Sequence, residues 1–327
     1  MKLIAYIVLF ALVISCKNET KTNVGHDNSA KNNTIQSEQL DEIKLASGRI
    51  QRIQNFPSDF ITERTVDIWL PDHYSEDQKF AVLYMHDGQM LFDSTTTWNK
   101  QEWKVDEWAS KLMEEGKTKD FIIVAIHNIS EIRWLDYFPQ KTLTYLSDGE
   151  KQAIKKNNLN GDQDAQFSAD NYLEFLTQEL KPHIDSNYSV LSNQDNTFIA
   201  GSSMGGLIAM YAVCEYANIF GGAACISTHW PGAQPREDNP ITKAFFEYMQ
   251  KNLPKHGKHL WYFDYGTETL DAYYPQYADE VDKIFAEKGY DDTNFRNIKF
   301  EGADHSENSW NKRLDVPFMF LLDKKNK

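Results

Sequence analysis

The stretch Gly201-Ser-Ser-Met-Gly-Gly206 carries the pattern G-x-S-x-G and decides the fold of this chain. A β-rich run, Asn196-Thr-Phe-Ile-Ala200, precedes it, and a run with helical apolar spacing, Leu207-Ile-Ala-Met-Tyr-Ala-Val213, follows at once. In this setting the glycines permit a sharp, strained turn that exposes the serine hydroxyl at the C-terminal edge of a sheet. An ordinary glycine-rich turn is the alternative, and the flanking strand and helix argue against it. The stretch therefore predicts a serine hydrolase with Ser203 as the nucleophile.

Length, composition and charge limit the possible functions. The chain has 327 residues, of which 41% are hydrophobic and 13% aromatic, enough for one large α/β core. The formal net charge of −14 argues against nucleic acid as a partner, because phosphate binding needs a basic surface. We expect neither a cofactor nor a metal ion.

The first residues have the pattern of an export signal. Lys2 is followed by an apolar segment, residues 3–15, that is too short to span a bilayer. The segment leads into Val13-Ile-Ser-Cys16, which resembles a bacterial lipobox. Cleavage there leaves Cys16 as the new N-terminus, carrying lipid. The alternative is an ordinary secretory signal in which Cys16 is incidental.

Residues 17–47 are rich in Asn, Lys, Ser, Thr and Glu and contain few large apolar side chains. Such a composition cannot bury enough surface to fold, so we expect a disordered tether over 17–47 and a folded domain over 48–327. We then expect the lipid to be the only membrane attachment and the bacterial outer membrane to be the location. The folded domain faces either the periplasm or the exterior. The other cysteines, Cys214 and Cys225, lie in apolar contexts typical of small buried side chains. A disulfide between them is the alternative.

Predicted strands alternate with predicted helices along the rest of the chain. Residues 49–56 and 62–70 indicate an opening antiparallel pair, and further strands are indicated at 79–85, 121–126, 196–200, 220–226, 260–265 and 295–300. Helical spacing covers residues 105–113, 169–184, 275–288 and 314–322. This alternation predicts an α/β-hydrolase fold with a mostly parallel central sheet and helices on both faces. Residues 128–167 and 229–257 are predicted to be long loops at the edge where an active site opens.

A serine nucleophile needs a base within hydrogen-bond reach, and a carboxylate orients that base. In this fold the chain order is serine, acid, histidine. His305 follows the last predicted strand and fits this order, with His229 as the one rival. The segment Gly266-Thr-Glu-Thr-Leu-Asp271 offers Asp271, which we favour, and Glu268. Asp264 lies inside the preceding strand and is expected to point sideways.

An oxyanion hole needs two backbone N–H groups. Met204, directly after the nucleophile, supplies one. We expect the other from Gln89 in the loop Met85-His-Asp-Gly-Gln89, where Gly88 allows a close approach. His86 and Asp87 are expected to hold this loop by hydrogen bonds rather than to act on a substrate.

Several stretches together are similar to one known family. They are Tyr84-Met-His-Asp-Gly-Gln-Met-Leu-Phe-Asp93, Gly201-Ser-Ser-Met-Gly-Gly206, Gly266-Thr-Glu-Thr-Leu-Asp-Ala-Tyr273, and Gly302-Ala-Asp-His305 with Trp310. Over about residues 48–323 the chain resembles the putative-esterase family of α/β hydrolases, the group around esterase D, enterochelin esterases and feruloyl or acetyl-xylan carbohydrate esterases. The resemblance implies that Ser203 and His305 are nucleophile and base and that the acid lies within 268–271, where the Thr-Leu-Asp sequence supports Asp271. It does not fix the substrate.

Side chains on the loops after the strands are the candidate substrate-binding residues. They are Trp98, Trp103, Arg133, Trp134, His229, Trp230 and Tyr273. Aromatic rings at this edge suit stacking on sugar rings or on an aromatic acyl group, and the alternative is that they pin the loops to the sheet. Arg133 has two possible roles: it binds a carboxylate or catecholate of the substrate, or it pairs with Glu131 or Asp136.

The sequence as a whole predicts a serine carboxylic-ester hydrolase that works through an acyl-enzyme. Its expected partner is a small-molecule or oligosaccharide ester, with acyl or feruloyl esters of carbohydrates favoured. A siderophore trilactone esterase is the enzymatic alternative. A catalytically inactive binding module on a hydrolase scaffold is the alternative from another class.

Overall fold

The computed structural model describes residues 35–158, 165–255 and 257–325. Within these ranges the strands are β1 (Glu38–Gln39), β2 (Arg49–Phe56), β3 (Arg64–Leu70), β4 (Ala81–His86), β5 (Phe121–Ile126), β6 (Thr197–Ser202), β7 (Gly222–Ile226), β8 (Leu260–Tyr265) and β9 (Phe295–Lys299). They form one nine-stranded sheet in the order β1-β2-β3-β5-β4-β6-β7-β8-β9. Strands from β4 to β9 pair in parallel, and β1, β2 and β3 pair antiparallel. The predicted opening antiparallel pair and mostly parallel sheet are confirmed.

Helices cover both faces of the sheet. They are α1 (Val105–Glu114), α2 (Arg133–Tyr137), α3 (Asp148–Asn158), α4 (Ala169–Glu174), α5 (Lys181–Asn187), α6 (Met204–Glu215), α7 (Pro240–Asn252), α8 (Pro275–Glu287), α9 (Glu307–Asn311) and α10 (Asp315–Leu321), with a π-helical turn, Phe175–Leu180, between α4 and α5. Val82 and Tyr84 of β4 lie in one core with α6, whereas Leu83 and Met85 lie in the other with α1 and α10. Because alternate side chains enter different cores, both faces are apolar, which explains the near-continuous apolar run of β4. The α/β-hydrolase prediction is confirmed.

The two segments predicted to be long loops contain helices, so that prediction is wrong in part. Residues 229–257 include α7, and residues 128–167 include α2, α3 and the 3₁₀ helix Gln140–Tyr145. α7 begins with a cap in which the Asn239 side chain accepts a hydrogen bond from the Ile241 N–H at 3.0 Å. Pro240 occupies the first turn, where its missing N–H costs nothing. Pro240 therefore starts a helix, although prolines in this segment favour a loop.

The segment 35–47 packs on the domain, so the expected disorder is wrong for these residues. β1 pairs with β2, and Leu40, Ile43 and Leu45 pack against one of the two cores. The Asp93 carboxylate accepts a hydrogen bond from the Lys44 N–H at 3.0 Å, and Asp106 accepts one from the Ala46 N–H at 2.6 Å. Spaced apolar side chains and buried acceptors therefore hold a segment whose composition alone indicated a tether.

The predicted signal segment and Cys16 lie outside the described residues. Among the residues that the structure does describe, none of the helices is long and apolar enough to cross a membrane. Cys214 and Cys225 are free thiols, and burial raises the pKa of both. They are therefore packing side chains rather than a disulfide pair.

Candidate active site

Ser203 lies on a strained turn between β6 and α6. Its backbone has φ 57° and ψ −121°, which is a conformation that non-glycine residues rarely adopt. A Cβ atom at position 201 would lie 2.7 Å from the carbonyl carbon of Gly205, so the turn requires glycine there. Hydrogen bonds from the Ser203 N–H to the Ile226 carbonyl (2.9 Å) and from the His229 N–H to the Ser203 carbonyl (3.1 Å) fasten the turn to the loop after β7. The turn thus presents the Ser203 hydroxyl at the C-terminal edge of the sheet, as the sequence predicts.

The structure brings His305 and Asp271 together. His305 Nδ1 lies 2.5 Å from Asp271 Oδ1, and the Asp271 side chain is fully buried. Since a carboxylate only accepts, Nδ1 carries the proton and Nε2 presents a lone pair. The His305 N–H also donates to Thr269 Oγ1 at 3.0 Å, and the Trp310 ring packs edge-on against the imidazole. His305 is therefore oriented as a base toward the cavity that Ser203 also lines.

The other two acidic candidates lie elsewhere. Glu268 is exposed at the start of the 3₁₀ helix Thr269–Tyr273. Asp264 is buried in an ion pair with Arg313, with Oδ1 2.9 Å from the guanidinium Nη2. Neither carboxylate is hydrogen-bonded to His305 in the described chain, so the geometry supports Asp271 as the orienting acid.

Asp271 has a second set of contacts that sequence reasoning missed. Its Oδ2 accepts hydrogen bonds from the Ser227 hydroxyl and the Gly266 N–H, both at 2.6 Å. Ser227 Oγ in turn accepts from Trp310 Nε1 at 3.0 Å and from Arg313 Nη2 at 2.9 Å. These hydrogen bonds fix the acid in position through residues from three separate loops.

Two backbone N–H groups are available for an oxyanion. Met204 is the first residue of α6, so its N–H has no acceptor within the helix. Gln89 lies in the 3₁₀ helix Gly88–Met90, directly after β4, and lines the cavity that contains Ser203. A Cβ atom at Gly88 would lie 2.7 Å from the Ala125 carbonyl carbon, which explains the glycine. Gln89 and Met204 each line a cavity that Ser203 also lines, and their role as an oxyanion hole stays a prediction.

The loop that carries Gln89 is held by ion pairing, as expected for Asp87. Asp87 receives two 2.7 Å hydrogen bonds from Arg133 and one of 2.6 Å from Asn128 Nδ2. Burial acts to raise the pKa of Asp87, and these partners more than offset it and hold the pKa below its ordinary value. Neither partner expected for Arg133 is correct, because its partner is Asp87. Its charge is therefore neutralised by the protein itself.

His86, the last residue of β4, stabilises the same loop from the interior of the domain. Its Nδ1 lies 2.9 Å from the Tyr172 hydroxyl in a fully buried cluster. Burial lowers the pKa of His86 to about 3, so the ring is neutral at physiological pH. His86 is a structural residue rather than a catalytic base.

Two cavities meet at Ser203. The first, of about 300 Å³, is lined by Asp87, Gln89, Met90, Trp98, Trp103, Asn128, Ser130, Arg133, Ser202, Ser203, His305, Glu307 and Trp310. The second, of about 360 Å³, is lined by Trp134, Ser203, Met204, His229, Ala233, Gln234, Pro235 and Leu270. The first is lined by polar side chains and three tryptophans, and the second is the more apolar of the two. Five of the predicted substrate-binding residues therefore line one or the other cavity.

The remaining two candidates line neither of these cavities. Trp230 is buried and stacks on Phe263 with ring centroids 5.7 Å apart, so it belongs to the core. Tyr273 is half-exposed beside the site. Trp98, in contrast, is 84% exposed at the first cavity, while Trp103 is buried beneath it against Trp310. Trp98 is thus an aromatic surface that the protein itself leaves uncovered.

His229, the rival base, is already engaged. Its Nε2 lies 2.9 Å from the Ala233 carbonyl oxygen, and its Nδ1 lies 2.8 Å from the Tyr274 hydroxyl. Burial lowers its pKa to about 4. A base with so low a pKa accepts a proton poorly near neutral pH. The geometry therefore supports His305 in that role.

Comparison with known proteins places this chain in a family. The family described as Putative esterase matches residues 58–321. Among curated proteins, the chain is 25% identical over 169 residues to the uncharacterized protein YbbA of Bacillus subtilis, covering 51% of this chain and 58% of that protein. It is 24% identical over 179 residues to an endo-1,4-beta-xylanase/feruloyl esterase of Xylanibacter ruminicola, covering 53% of this chain and 21% of that protein. The matched region thus spans less than two thirds of either relative.

Solved structures share the fold. A ferulic acid esterase superposes with a TM-score of 0.58 at 17% identity, over 84% of this chain and 98% of that one. The enterobactin esterase of Shigella flexneri superposes with a TM-score of 0.55 at 15% identity, over 83% of this chain and 59% of that one. At these identities the likeness establishes the fold and leaves the substrate to be argued from the site.

Proposed function

The chain belongs to the Putative esterase family, and we propose that it is a serine carboxylic-ester hydrolase in which Ser203 forms an acyl-enzyme. The observation that carries the proposal is the pairing of His305 with Asp271 in the same cavity as the strained Ser203 turn. An inactive binding module has no need of a strained serine turn beside a histidine oriented by a buried carboxylate.

The proposed reaction has two halves. Ser203 Oγ attacks the ester carbonyl carbon while His305 Nε2 takes the hydroxyl proton, and the oxyanion receives hydrogen bonds from the Gln89 and Met204 N–H groups. The carbonyl–alkoxy bond then breaks, and His305 gives its proton to the leaving alcohol. In the second half, water attacks the acyl carbon and passes a proton to His305. The bond between that carbon and Ser203 Oγ then breaks, and His305 returns the proton to Oγ, which releases the carboxylic acid and restores Ser203. The Asp271 carboxylate orients the ring and stabilises the imidazolium in both halves.

The direction of proton transfer indicates which part of the ester each cavity receives. Because His305 protonates the leaving oxygen, the alcohol must lie on the side of His305, and His305 lines the first cavity. The acyl group then lies on the opposite side of Ser203, in the second cavity, which His305 does not line. The alcohol side offers both polar side chains and tryptophan rings, and the acyl side is the more apolar of the two. The site therefore suits an ester of a hydroxyl-rich alcohol with an apolar or aromatic acid.

Trp98 favours a carbohydrate as that alcohol. An exposed tryptophan costs hydrophobic free energy unless a ligand covers it, and sugar rings stack on such surfaces. Its loop is fastened to the segment after His305, because Asn99 Nδ2 donates to Glu307 Oε2 at 2.8 Å and the Asn308 N–H donates to Gln101 Oε1 at 3.2 Å. Trp98 is thus held at a fixed place beside the alcohol cavity. Trp134 and Leu270 line the other side and suit a flat aromatic acyl group such as a feruloyl.

The siderophore alternative is less well supported by the charges. A catecholate ligand needs an uncompensated cation, and the guanidinium in this cavity, Arg133, is already paired with Asp87 by two hydrogen bonds. The proposed substrates are therefore acyl or feruloyl esters of carbohydrates.

A substrate panel tests the proposal. We expect kcat/KM for a feruloylated xylo-oligosaccharide to exceed that for methyl ferulate by about tenfold or more, because only the former offers a sugar to Trp98. Acetylated xylo-oligosaccharides and a trilactone siderophore complete the panel. A trilactone as the best substrate would replace the carbohydrate proposal with the siderophore alternative.

The cellular location is also a proposal. We propose that the chain is exported and anchored through lipid on Cys16, which places the esterase in the bacterial cell envelope. The support is the Val13-Ile-Ser-Cys16 sequence after a short apolar segment.

A further inference from the structure

Asp87 occupies the position of a helix cap without acting as one. It directly precedes the 3₁₀ helix Gly88–Met90. A residue at that position ordinarily has an extended backbone, and an aspartate there accepts a hydrogen bond from the second or third N–H of the helix. Asp87 instead has φ 59° and ψ 42°, and in the part of the chain that the structure describes its side chain makes no hydrogen bond to this helix. Asp87 therefore leaves the helix start uncapped.

The N–H that stays uncapped belongs to Gln89. The Met90 N–H donates to the Asp87 carbonyl at 2.9 Å and makes the first hydrogen bond of the 3₁₀ helix. The Gln89 N–H lies before that bond, so the helix itself offers it no acceptor. It is the N–H that an aspartate cap would take, and it is also the one predicted to bind the oxyanion. The Asp87 carboxylate and the oxyanion are thus competing acceptors for one donor.

Arg133 and Asn128 hold the Asp87 carboxylate away from this helix. Arg133, the first residue of α2, donates from Nε to Oδ1 and from Nη2 to Oδ2, both at 2.7 Å, and Asn128 Nδ2 donates to Oδ1 at 2.6 Å. A bidentate pair of this kind is strong and fixes the plane of the carboxylate. The guanidinium also lies over the Tyr137 ring, 5.0 Å from its centroid, so Arg133 is itself held in place. The Asp87 side chain is therefore bound to α2 and to the loop after β5.

We propose that Arg133 is a positioning residue that binds the Asp87 carboxylate, keeps it off the Gln89 N–H and so leaves that N–H free for the oxyanion. The inference rests on the proposed function, because it takes the Gln89 N–H as a donor to the oxyanion. Without Arg133, the buried carboxylate would keep the Asn128 hydrogen bond and lose two others. A buried charge that lacks partners is costly, and the Gln89 N–H is a free donor in the same loop. The ion pair therefore keeps the oxyanion hole open.

The first test is Arg133→Met in the full chain, which removes the donors and keeps a long side chain. We expect kcat on an aryl ester to fall about 100-fold with KM changed less than about threefold, because an oxyanion donor acts in the transition state. The inhibition constant of an aryl trifluoromethyl ketone, which forms a tetrahedral oxyanion adduct with the serine, should rise by a similar factor. Circular dichroism and thermal unfolding show whether the variant is folded.

Arg52→Met is the matched control. Arg52 donates from Nε and Nη2 to the buried Asp67, again at 2.7 Å each, and its side chain is 24% exposed against 26% for Arg133. Asp67 keeps one partner, His127, after the substitution. The two variants therefore lose equivalent ion pairs, and Arg52→Met should keep kcat within about twofold of wild type. An equal loss of kcat in Arg52→Met would indicate general destabilisation and would overturn the inference.

Asp87→Gly separates the release of an N–H from the loss of a structural contact. Glycine keeps the left-handed backbone and removes the carboxylate that competes for Gln89. In the Arg133→Met background we therefore expect Asp87→Gly to raise kcat about tenfold, whereas a purely structural role predicts a further fall. Wild-type kcat in Arg133→Met, or a further fall in the double variant, would overturn the inference while leaving Ser203 as the nucleophile. A wild-type protein that hydrolyses no ester would refute the proposed function itself, and the inference with it.

Discussion

Replacing Asp271 by asparagine should nearly abolish turnover by forcing His305 into the wrong tautomer. Asp271 Oδ2 accepts from the Gly266 N–H and the Ser227 hydroxyl, while Oδ1 accepts from His305 Nδ1. In the variant, an NH₂ group facing Gly266 would set two donors 2.6 Å apart. The amide oxygen therefore stays with Gly266, and the NH₂ group faces His305.

The consequence for the base is direct. When the asparagine NH₂ group donates to His305 Nδ1, that nitrogen must be the acceptor. The ring proton then lies on Nε2, which can no longer accept the proton of Ser203. A loss of the orienting carboxylate of this kind lowers kcat by up to about 10⁴. Loss of the charge that stabilises the imidazolium acts in the same direction. We therefore expect a fall of about three to four orders of magnitude in kcat for Asp271→Asn.

The assay is kcat and kcat/KM on an aryl ester between pH 5 and 9, with circular dichroism to confirm the fold. Glu268→Gln is the control, because it makes the same chemical change on an exposed carboxylate of the same loop, and its kcat should stay within about twofold of wild type. A loss smaller than about tenfold for Asp271→Asn, or a larger loss for Glu268→Gln, would refute the assignment.

Three further predictions follow from other parts of the chain. Trp98→Ala should raise KM for feruloylated oligosaccharides about tenfold and leave methyl ferulate unchanged, because the lost surface stacks only on the sugar; equal effects on both substrates would contradict this. His86 has its pKa lowered by burial to about 3, so the unfolded state binds a proton that the native state excludes as pH falls below about 6.5. This group should therefore lower the free energy of unfolding by about 1.4 kcal/mol per pH unit between about pH 6 and 4. Calorimetry should show a shallower fall for His86→Gln, and a fall as steep as that of the wild type would contradict the prediction. Cys16→Ser should abolish incorporation of labelled fatty acid, and a wild-type protein that starts beyond Cys16 without lipid would refute the anchor.

The parts of the site that could be predicted from sequence are those encoded by short local motifs. The Ser203 turn is set by glycines within a few positions, and His305 and Asp271 follow from the chain order that this fold imposes. The oxyanion loop after β4 is predictable for the same reason. Each of these depends on neighbours in sequence or on strand order, both of which an alternation of strands and helices reveals.

The parts that could not be predicted depend on contacts between distant loops. Ser227 contacts Asp271, Trp310 and Arg313, which come from two other segments, and nothing in its own neighbourhood marks it. The pairing of Arg133 with Asp87 likewise joins loops after two different strands, and sequence proximity favoured the wrong partners. Sequence does not reveal helix α7 for a local reason: Pro240 is typical of a loop, but the preceding Asn239 caps a helix that begins at that proline. The contacts of Ser227 and of Arg133 show where residues distant in sequence, rather than residue type, decide the partner.

Covalent labelling of Ser203 tests the central claim most directly. The purified protein is treated with a fluorophosphonate, digested and analysed by mass spectrometry, in parallel with Ser203→Ala and with Ser202→Ala as the neighbouring control. We predict one adduct on Ser203 in the wild type and in Ser202→Ala, no adduct in Ser203→Ala, and a fall in ester turnover of several orders of magnitude only in Ser203→Ala. An adduct on another residue, or full turnover by well-folded Ser203→Ala, would contradict the account.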